Sequence, residues 1–215
     1  MQSSSIQAVS FDAAGTLLEL AEPVARTYAR LAQAHGVTVT EAAVAARFPE
    51  AFSVPWSGPR MQGDGRPFWR HVVATCTGSD DAALFEALYA HYAQAEAWRL
   101  APGAVDALTR LRGRGLRVAM LSNWDTRLVP LLASLGLLAA LDFVGVSGAL
   151  GVEKPDERAF SAVADALGVP LAAILHVGDS VRADVEGARA AGAVGMRWTG
   201  FGAVFGAVDG GHHAG

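Results

Sequence analysis

The sequence predicts an α/β fold: a doubly wound parallel sheet with an inserted helical segment. From residue 101 onward, short apolar strands alternate with amphipathic helices, which is typical of βαβ units in a parallel sheet. A further apolar strand, Ala8 to Phe11, lies far upstream, and it must join the same sheet to be buried. The residues between them show helical spacing and no strand pattern. We therefore predict a core domain of residues 1–18 and 99–215 and an α-helical domain of residues 19–98.

Apolar periodicity and turn residues place the elements in order. In the inserted segment we predict helices over residues 21–36, 37–47, 68–77 and 80–98, and an irregular loop over 48–67. In the core we predict strands over residues 117–121, 143–146, 174–177 and 194–198. The core helices are predicted over residues 105–114, 156–167 and 182–191. One more helix, after the strand over 117–121, is predicted to end near Gly136. From Gly206 the chain is polar and rich in glycine, so we expect a frayed tail.

Composition argues against several classes of function. The 215 residues carry a formal net charge of −4, which disfavours nonspecific binding to nucleic acid or to an anionic membrane. No apolar run reaches the roughly 18 residues of a membrane span, and the first residues lack a signal-peptide pattern. Cys76 is the only cysteine, which excludes an internal disulfide or a thiolate zinc site. We expect a cytoplasmic protein that is a monomer or a homodimer and acts on a small molecule.

Polar residues follow four predicted strands in turn. Asp12 follows the first strand, Ser122 and Asn123 the second, Lys154 the third and Asp179 the fourth. Ligands of open α/β sheets bind beyond the carboxyl ends of the strands, so these side chains are expected to converge there. Taken singly, each residue also has a structural explanation: a turn or helix cap for the carboxylates and Asn123, and a solvated surface site for the lysine.

Two of these segments point to specific ligands. Lys154 precedes Pro155, which suits the first position of a helix, so the lysine is predicted at the N-cap, where a cation opposes the helix dipole. A bound anion would explain that placement. Asp179, the hydroxyl of Ser180 and Asp184 offer oxygen ligands of the kind that Mg²⁺ prefers.

The order of these motifs resembles that of the haloacid dehalogenase-like (HAD) superfamily, most of whose members are Mg²⁺-dependent phosphohydrolases. The resemblance covers the whole chain and rests on Asp12-Ala13-Ala14-Gly15-Thr16, Ser122-Asn123, Lys154-Pro155, and Gly178-Asp179 with Asp184. It implies a Rossmann-like HAD core, an α-helical cap domain between the first two motifs, and a small phosphorylated substrate.

The resemblance also implies a role for each residue. Asp12 would attack phosphorus and form an aspartyl phosphate that water hydrolyses. Ser122, Lys154 and the backbone N–H groups near Ala13 and Ala14 would hold the transferring group, and Asn123 would position it. The implied Mg²⁺ ligands are Asp12, the carbonyl of Ala14 and Asp179, with support from Asp184, while Thr16 would help to fix the loop.

The sequence departs from the family pattern at Ala14. Family phosphatases generally carry an aspartate there that protonates the leaving group, and general acid–base catalysis typically contributes about 10²–10⁴ in rate. Three explanations remain open. The substrate has a good leaving group; or a cap residue replaces the acid, with Glu22, Asp64 and His71 as candidates; or the chain is a weak enzyme or a ligand-binding protein.

Two other family chemistries dispense with that aspartate. Phosphonoacetaldehyde hydrolase forms a Schiff base through a cap lysine, but Lys154 is the only lysine here and belongs to the core motif. A 2-haloacid dehalogenase attacks carbon without a metal and generally uses an arginine early in the cap, for which Arg26, Arg30 and Arg47 are candidates. The acidic residues near Asp179 disfavour that chemistry, so the dehalogenase is our second enzymatic hypothesis.

The remaining aromatic, histidine and cysteine residues of interest have structural explanations. Three aromatic residues either line a pocket or pack in a core, and we favour the core; they are Trp56, Phe68 and Trp69. His176 and Cys76 are predicted to be buried core residues. His212 and His213 have no partner cluster, so no metal site is expected there.

Overall fold

A computed structural model describes residues 5–210 of the chain. Its seven strands, in chain order, are β1 (Ala8–Phe11), β2 (Leu18–Leu20), β3 (Trp98–Leu100), β4 (Arg117–Ser122), β5 (Phe143–Val146), β6 (Ile174–Gly178) and β7 (Val194–Arg197). Five of them form one parallel sheet in the order β5-β4-β1-β6-β7. The strand nearest the amino terminus is therefore the central strand of the sheet. The predicted α/β fold class is confirmed.

Ten α-helices accompany the strands within the described residues. They are α1 (Val24–Ala34), α2 (Glu41–Ser53), α3 (Arg66–Thr77), α4 (Ala82–His91), α5 (Ala104–Gly113), α6 (Leu128–Ser134), α7 (Ser147–Leu150), α8 (Glu157–Leu167), α9 (Gly187–Ala190) and α10 (Phe201–Gly210). A π-helical stretch, Val181–Glu186, leads directly into α9. None of the helices described has the length and apolar character needed to cross a membrane.

Successive residues of β1 point to opposite faces of the sheet, which gives the core two apolar layers. Val9 and Phe11 belong to the cluster beneath α5, α6 and α10. Ala8 belongs to the cluster on the other face, where Phe160 and Val163 of α8 pack. Helices thus cover both faces, as a doubly wound sheet requires.

Helices α1 to α4 form the inserted segment and have an apolar cluster of their own. Its fully buried members include Tyr28, Phe68, Leu84 and Leu88, and the predicted core residue Cys76 is buried there too. Thr40 caps α2 as its position predicts, because its hydroxyl accepts the N–H of Ala43 at 3.1 Å.

The junction between insert and core corrects one prediction. We expected no strand from Leu20 to Trp98, but Leu20 pairs with Trp98 in an antiparallel ribbon of β2 and β3. At the other end of the ribbon, Leu18 pairs with Leu100. Each strand has only three residues and the ribbon has only these two strands, so the sequence carries too little alternation to reveal it. The ribbon joins the insert to the loop that follows β1.

Three other predicted boundaries also differ from the structure. The expected loop from Phe48 is helical as far as Ser53, with Pro49 inside α2, because Phe48 and Phe52 stack and pack in the insert core. The expected helix over 80–98 ends at His91. The tail expected to fray from Gly206 is helical to Gly210, because Val204 and Val208 are buried against the sheet. His212 and His213 lie outside the described residues.

Candidate active site and metal site

Asp12 lies immediately beyond β1, at the carboxyl edge of the sheet. Its N–H donates to the carbonyl of Val177 at 2.8 Å, which fixes the start of the loop against β6. The loop then tightens, because three successive N–H groups beyond Gly15 converge on the carbonyl oxygen of Ala13. Gly15 has φ +78°, and a Cβ there would collide with the carboxylate of Asp179. Glycine therefore lets this loop close on Asp179.

Lys154 is buried at the centre of the site. Its Nζ donates to Oδ1 of Asp12 at 2.8 Å, to Oδ1 of Asp184 at 2.6 Å and to the carbonyl of Leu121 at 2.7 Å. Burial lowers the pKa of Lys154, but the two carboxylates outweigh it and the pKa is raised. The ammonium is therefore charged, with all three of its protons in hydrogen bonds.

The segment around Lys154 corrects the predicted N-cap. The N-cap of α8 is Asp156, whose carboxylate accepts the N–H of Arg158, so the lysine lies two residues before it. The amide of Asn123 holds the lysine backbone, donating to its carbonyl at 2.8 Å and accepting its N–H at 2.7 Å. Two carboxylates, and not the end of the helix, face the buried cation.

Asp184 is buried and fully hydrogen-bonded. Its Oδ2 accepts the N–H of Ser180 at 2.9 Å, and its Oδ1 lies 3.2 Å from Nε2 of His176. Burial raises the pKa of Asp184, but the hydrogen bond from His176 and the charge of Lys154 lower it to about 2. Burial lowers the pKa of His176, so the imidazole is neutral at pH 7. Nε2 then carries the proton and donates to Asp184. Nδ1 accepts a hydrogen bond from the hydroxyl of Ser10, with 2.7 Å between Nδ1 and Oγ.

Asp12, Asp179 and Asp184 form a carboxylate cluster that fits a divalent cation. Each offers one oxygen, and the three atoms lie within 4.8 Å of one another. Desolvation raises the pKa of the exposed Asp179, and the charges of Asp12 and Asp184 add to this effect. Three carboxylates and one ammonium leave two negative charges, which a divalent ion with oxygen ligands would neutralise. A Cβ at Gly178 would collide with the carboxylate of Asp184, so the backbone is shaped around the cluster.

The remaining predicted residues occupy distinct positions at this edge. Ser122 is buried as the last residue of β4, and Ala13 is buried in the loop, whereas Ala14 is exposed. Thr16 is buried, and its hydroxyl has no hydrogen-bond partner within residues 5–210. The hydroxyl of Ser180 caps the π-helical stretch by accepting a hydrogen bond from the N–H of Ala183.

A cavity of about 220 Å³ lies between the insert and the core and is bordered by Ala14 and Asn123. Six aromatic residues of the insert and the ribbon line it: Tyr28, Phe48, Phe52, Trp69, Tyr92 and Trp98. Trp69 thus belongs to the cavity wall, whereas Trp56 and Phe68 pack in the insert. Among the described residues that line the cavity there is no aspartate, glutamate or histidine.

The acids and arginines proposed for the inserted segment do not line this cavity. Glu22, Asp64 and His71 are absent from its wall within the described chain. Three arginines bind elsewhere: Arg26 to Glu41, Arg30 to Glu22 and Arg47 to the carbonyl of Cys76. The arginine that does line the cavity is Arg127, which the sequence did not suggest.

Arg127 belongs to a polar contact across the junction. Asp125 is completely buried, and its carboxylate accepts hydrogen bonds from Trp69 Nε1 at 2.9 Å and from Arg127 Nε at 2.9 Å and Nη2 at 2.8 Å. Arg127 also donates to the carbonyl of Tyr89 and lies 3.5 Å from the centre of its ring. The loop after β4 is thus tied to helices α3 and α4.

The family profile of haloacid dehalogenase-like hydrolases matches residues 6–192. The chain belongs to this family. Human haloacid dehalogenase-like hydrolase domain-containing protein 3 is 35% identical over 199 residues, which cover 87% of this chain and 79% of that protein. Phosphoserine phosphatase of Thermus thermophilus is 34% identical over 138 residues, 64% of this chain and 53% of that enzyme.

Among solved structures, L-2-haloacid dehalogenase of Xanthobacter autotrophicus with covalently bound chloropropionic acid has the same fold. The TM-score is 0.65 at 24% identity, over 87% of this chain and 75% of that one. This HAD-like chain is therefore a hydrolase by family, with relatives named for phosphatase activity and structural neighbours named for dehalogenase activity.

Proposed function

We propose that this HAD-like hydrolase is a Mg²⁺-dependent phosphatase acting on a small phosphorylated molecule. The observation that carries the proposal is the contact of Lys154 Nζ with both Asp12 and Asp184 inside a cluster of three carboxylates. A carboxylate nucleophile beside a buried cation suits attack on a phosphoryl dianion, because the cation offsets the charge that gathers at the site.

Asp12 is the proposed nucleophile. Its carboxylate oxygen forms a bond to phosphorus while the bond from phosphorus to the leaving oxygen breaks. Water then attacks the aspartyl phosphate, which releases inorganic phosphate and restores the carboxylate. Lys154 orients Asp12 through Oδ1, and Asn123 is a positioning residue for the lysine backbone.

The proposed phosphoryl ligands are Ser122, the second N–H of the Asn123 side-chain amide and the backbone N–H groups near Ala13 and Ala14. Asp12 and Asp179 would hold Mg²⁺ together with the carbonyl of Ala14, and Asp184 would support it. The ion, when bound, supplies charge neutralisation at the phosphoryl oxygens.

The helical insert is proposed to act as the cap domain, with residues 19–98 as the cap and residues 1–18 and 99–215 as the core. The separate apolar cluster of the insert supports this division, as does the β2–β3 ribbon where the chain leaves and re-enters the core. The substrate's leaving group would face the cap, on the side where Ala14 borders the cavity.

A 2-haloacid dehalogenase is the second candidate function. The observation that favours it is Ala14 beside an apolar cavity, since attack on carbon needs no acid at that position. The three clustered carboxylates favour the phosphatase, because an uncompensated acidic cluster would repel a haloacid carboxylate.

Measuring phosphate release from p-nitrophenyl phosphate, with Mg²⁺ or with EDTA, separates these functions. We expect turnover that requires Mg²⁺, is lost in Asp12→Asn and persists in Asp165→Asn, a matched change at an exposed position of α8. Chloride release from 2-chloropropionate in EDTA, without phosphate release, would assign the dehalogenase. Phosphate binding without either turnover would indicate a ligand-binding protein.

A further inference from the structure

We propose that the substrates are aryl phosphate monoesters whose uncharged ring occupies the aromatic cavity beside Ala14. This inference rests on the proposed phosphatase function and names the substrate class. Two independent features carry it: the chemistry available at position 14, and the shape and lining of the adjacent cavity.

The first feature is that no side chain at position 14 can protonate a leaving group. An alkyl phosphate must expel an alkoxide, whose conjugate acid is about as weak as water, with a pKa of about 15.7. A phenol has a pKa of about 10, as the tyrosine side chain does. A phenolate can therefore depart without a proton donor, and none of the described cavity-lining residues is an aspartate, a glutamate or a histidine.

The second feature is the cavity itself. Its volume of about 220 Å³ exceeds that of an engineered apolar cavity of about 150 Å³ that binds benzene, so one aromatic ring fits. Aromatic walls favour a ring over an aliphatic group of the same size, because ring edges and faces attract one another. The cavity borders both Ala14 and Asn123, next to the proposed phosphoryl site.

The cavity also selects against charged rings. Its only charged lining residue among those described is Arg127, and the carboxylate of Asp125 neutralises that guanidinium through two hydrogen bonds. The ring of Tyr89 covers the guanidinium at 3.5 Å. Because that charge is already satisfied, a carboxylate or ammonium on the substrate ring would be desolvated with no free countercharge among the described lining residues.

The proposed step balances without a co-reactant. Asp12 forms a bond to phosphorus, the bond to the aryl oxygen breaks, and its electron pair stays on the phenolate, which takes a proton from solvent. Water then cleaves the aspartyl phosphate and gives inorganic phosphate, and its proton passes to solvent.

Three probes separate the effect of the ring from the effect of the leaving group. Phenyl phosphate has both an aromatic ring and a good leaving group. Cyclohexyl phosphate has the same size but a poor leaving group, whereas acetyl phosphate has a good leaving group and no ring. With Mg²⁺ we expect kcat/KM for phenyl phosphate to exceed that for cyclohexyl phosphate by at least about 10²-fold, the lower end of what acid catalysis supplies.

Filling the cavity tests the site directly. Val24, the first residue of α1, lines the cavity. Val24→Phe should lower kcat/KM for phenyl phosphate about 10-fold or more and leave kcat/KM for acetyl phosphate within about twofold. Val105→Phe, at an exposed position of α5 outside the cavity wall, is the matched control and should change neither. Leu20→Trp repeats the test at the exposed rim if Val24→Phe does not fold.

The outcomes distinguish the two proposals. If the protein hydrolyses all three probes equally, or if Val24→Phe lowers all three alike, the aryl assignment is wrong and the phosphatase stands. If acetyl phosphate is hydrolysed and phenyl phosphate is not, the substrate is an acyl phosphate and the aryl assignment is again wrong. If no phosphate is released from any probe, both proposals fail.

Discussion

The ammonium of Lys154 lies 2.8 Å from the carboxylate of Asp12, although 142 residues separate them in the chain. The contact joins the loop after β1 to the segment before α8 and is almost entirely buried. Because Asp184 shares the same ammonium, removing the lysine would leave two carboxylates facing each other in a buried site. The structure thus makes this residue both a proposed catalytic group and a structural one.

Lys154→Met is expected to destabilise the metal-free protein by about 3–5 kcal/mol, the usual cost of removing one partner from a buried ion pair. Urea denaturation at pH 7 in EDTA measures the change. Arg158→Met is the control, because the pair of Arg158 with Asp156 is largely exposed and such pairs contribute about 1 kcal/mol or less. Equal stability of both variants would contradict the buried ion pair.

Asp179→Asn is expected to abolish stabilisation by Mg²⁺. A ligand at 100 times its Kd stabilises the folded state by about 2.7 kcal/mol, so the wild-type Tm should rise measurably when Mg²⁺ is added. The amide substitution removes one of three clustered charges that would hold the ion. Thermal unfolding with and without Mg²⁺ tests this, with Asp165→Asn as control; an undiminished Mg²⁺ shift in Asp179→Asn would exclude Asp179 as a ligand.

The raised pKa of Asp179 predicts a pH dependence of stability in EDTA. An acid whose pKa is raised on folding binds more protons in the folded state than in the unfolded state. Its contribution to the free energy of unfolding is therefore present below its unfolded pKa of 3.8 and is lost as pH rises through the folded pKa. Metal-free Asp179→Asn should therefore become more stable than wild type above that range.

Asp184 affects the pH dependence of stability in the opposite direction and over a different pH range. Its pKa is lowered to about 2 in the folded state, so its contribution to the free energy of unfolding is present above its unfolded pKa of 3.8. That contribution is lost only as pH falls toward 2. Urea denaturation across pH 4 to 8 therefore isolates Asp179 when wild type and Asp179→Asn are compared. A constant difference between the two proteins over that range would contradict the raised pKa.

The sequence was most informative where residues follow strands. Asp12, Lys154 and Asp179 could be foreseen as neighbours because parallel strands end at one edge, whatever the details of packing. Partners that depend on how the insert docks could not be foreseen. Asp125 binds Trp69, 56 residues upstream, and nothing local to either residue signals that contact.

His176 illustrates the same limit inside the core. Its burial was predicted from its place in a strand, but its hydrogen bonds to Ser10 and Asp184 depend on strand order, which places β6 beside β1. The helical stretch through Pro49 shows the converse case, in which aromatic packing in the insert outweighed a local breaker.

Trp69→Phe is expected to loosen the contact between insert and core. The substitution keeps the aromatic packing and removes one hydrogen bond to the buried Asp125, which typically costs about 1.5–3 kcal/mol when the acceptor is charged. Urea denaturation measures the loss. Trp56→Phe is the matched control in the same insert, since Trp56 contacts Phe68 edge to face; an equal loss in both would mean that packing, and not the hydrogen bond, is responsible.

Ala14→Asp is expected to raise hydrolysis of alkyl phosphates far more than that of aryl phosphates. Ala14 is exposed at the cavity border, so a carboxylate can be accommodated there, and general acid catalysis contributes about 10²–10⁴ in rate. Phenolate departs without a proton, so kcat/KM for phenyl phosphate should change little while that for cyclohexyl phosphate rises.

The matched control is Ala14→Asn, which has the size of aspartate but cannot transfer the proton. Steady-state kinetics of the two variants on both substrates separates proton transfer from shape. If Ala14→Asp and Ala14→Asn behave alike on cyclohexyl phosphate, then proton donation at position 14 does not limit the reaction, and another group already supplies the acid.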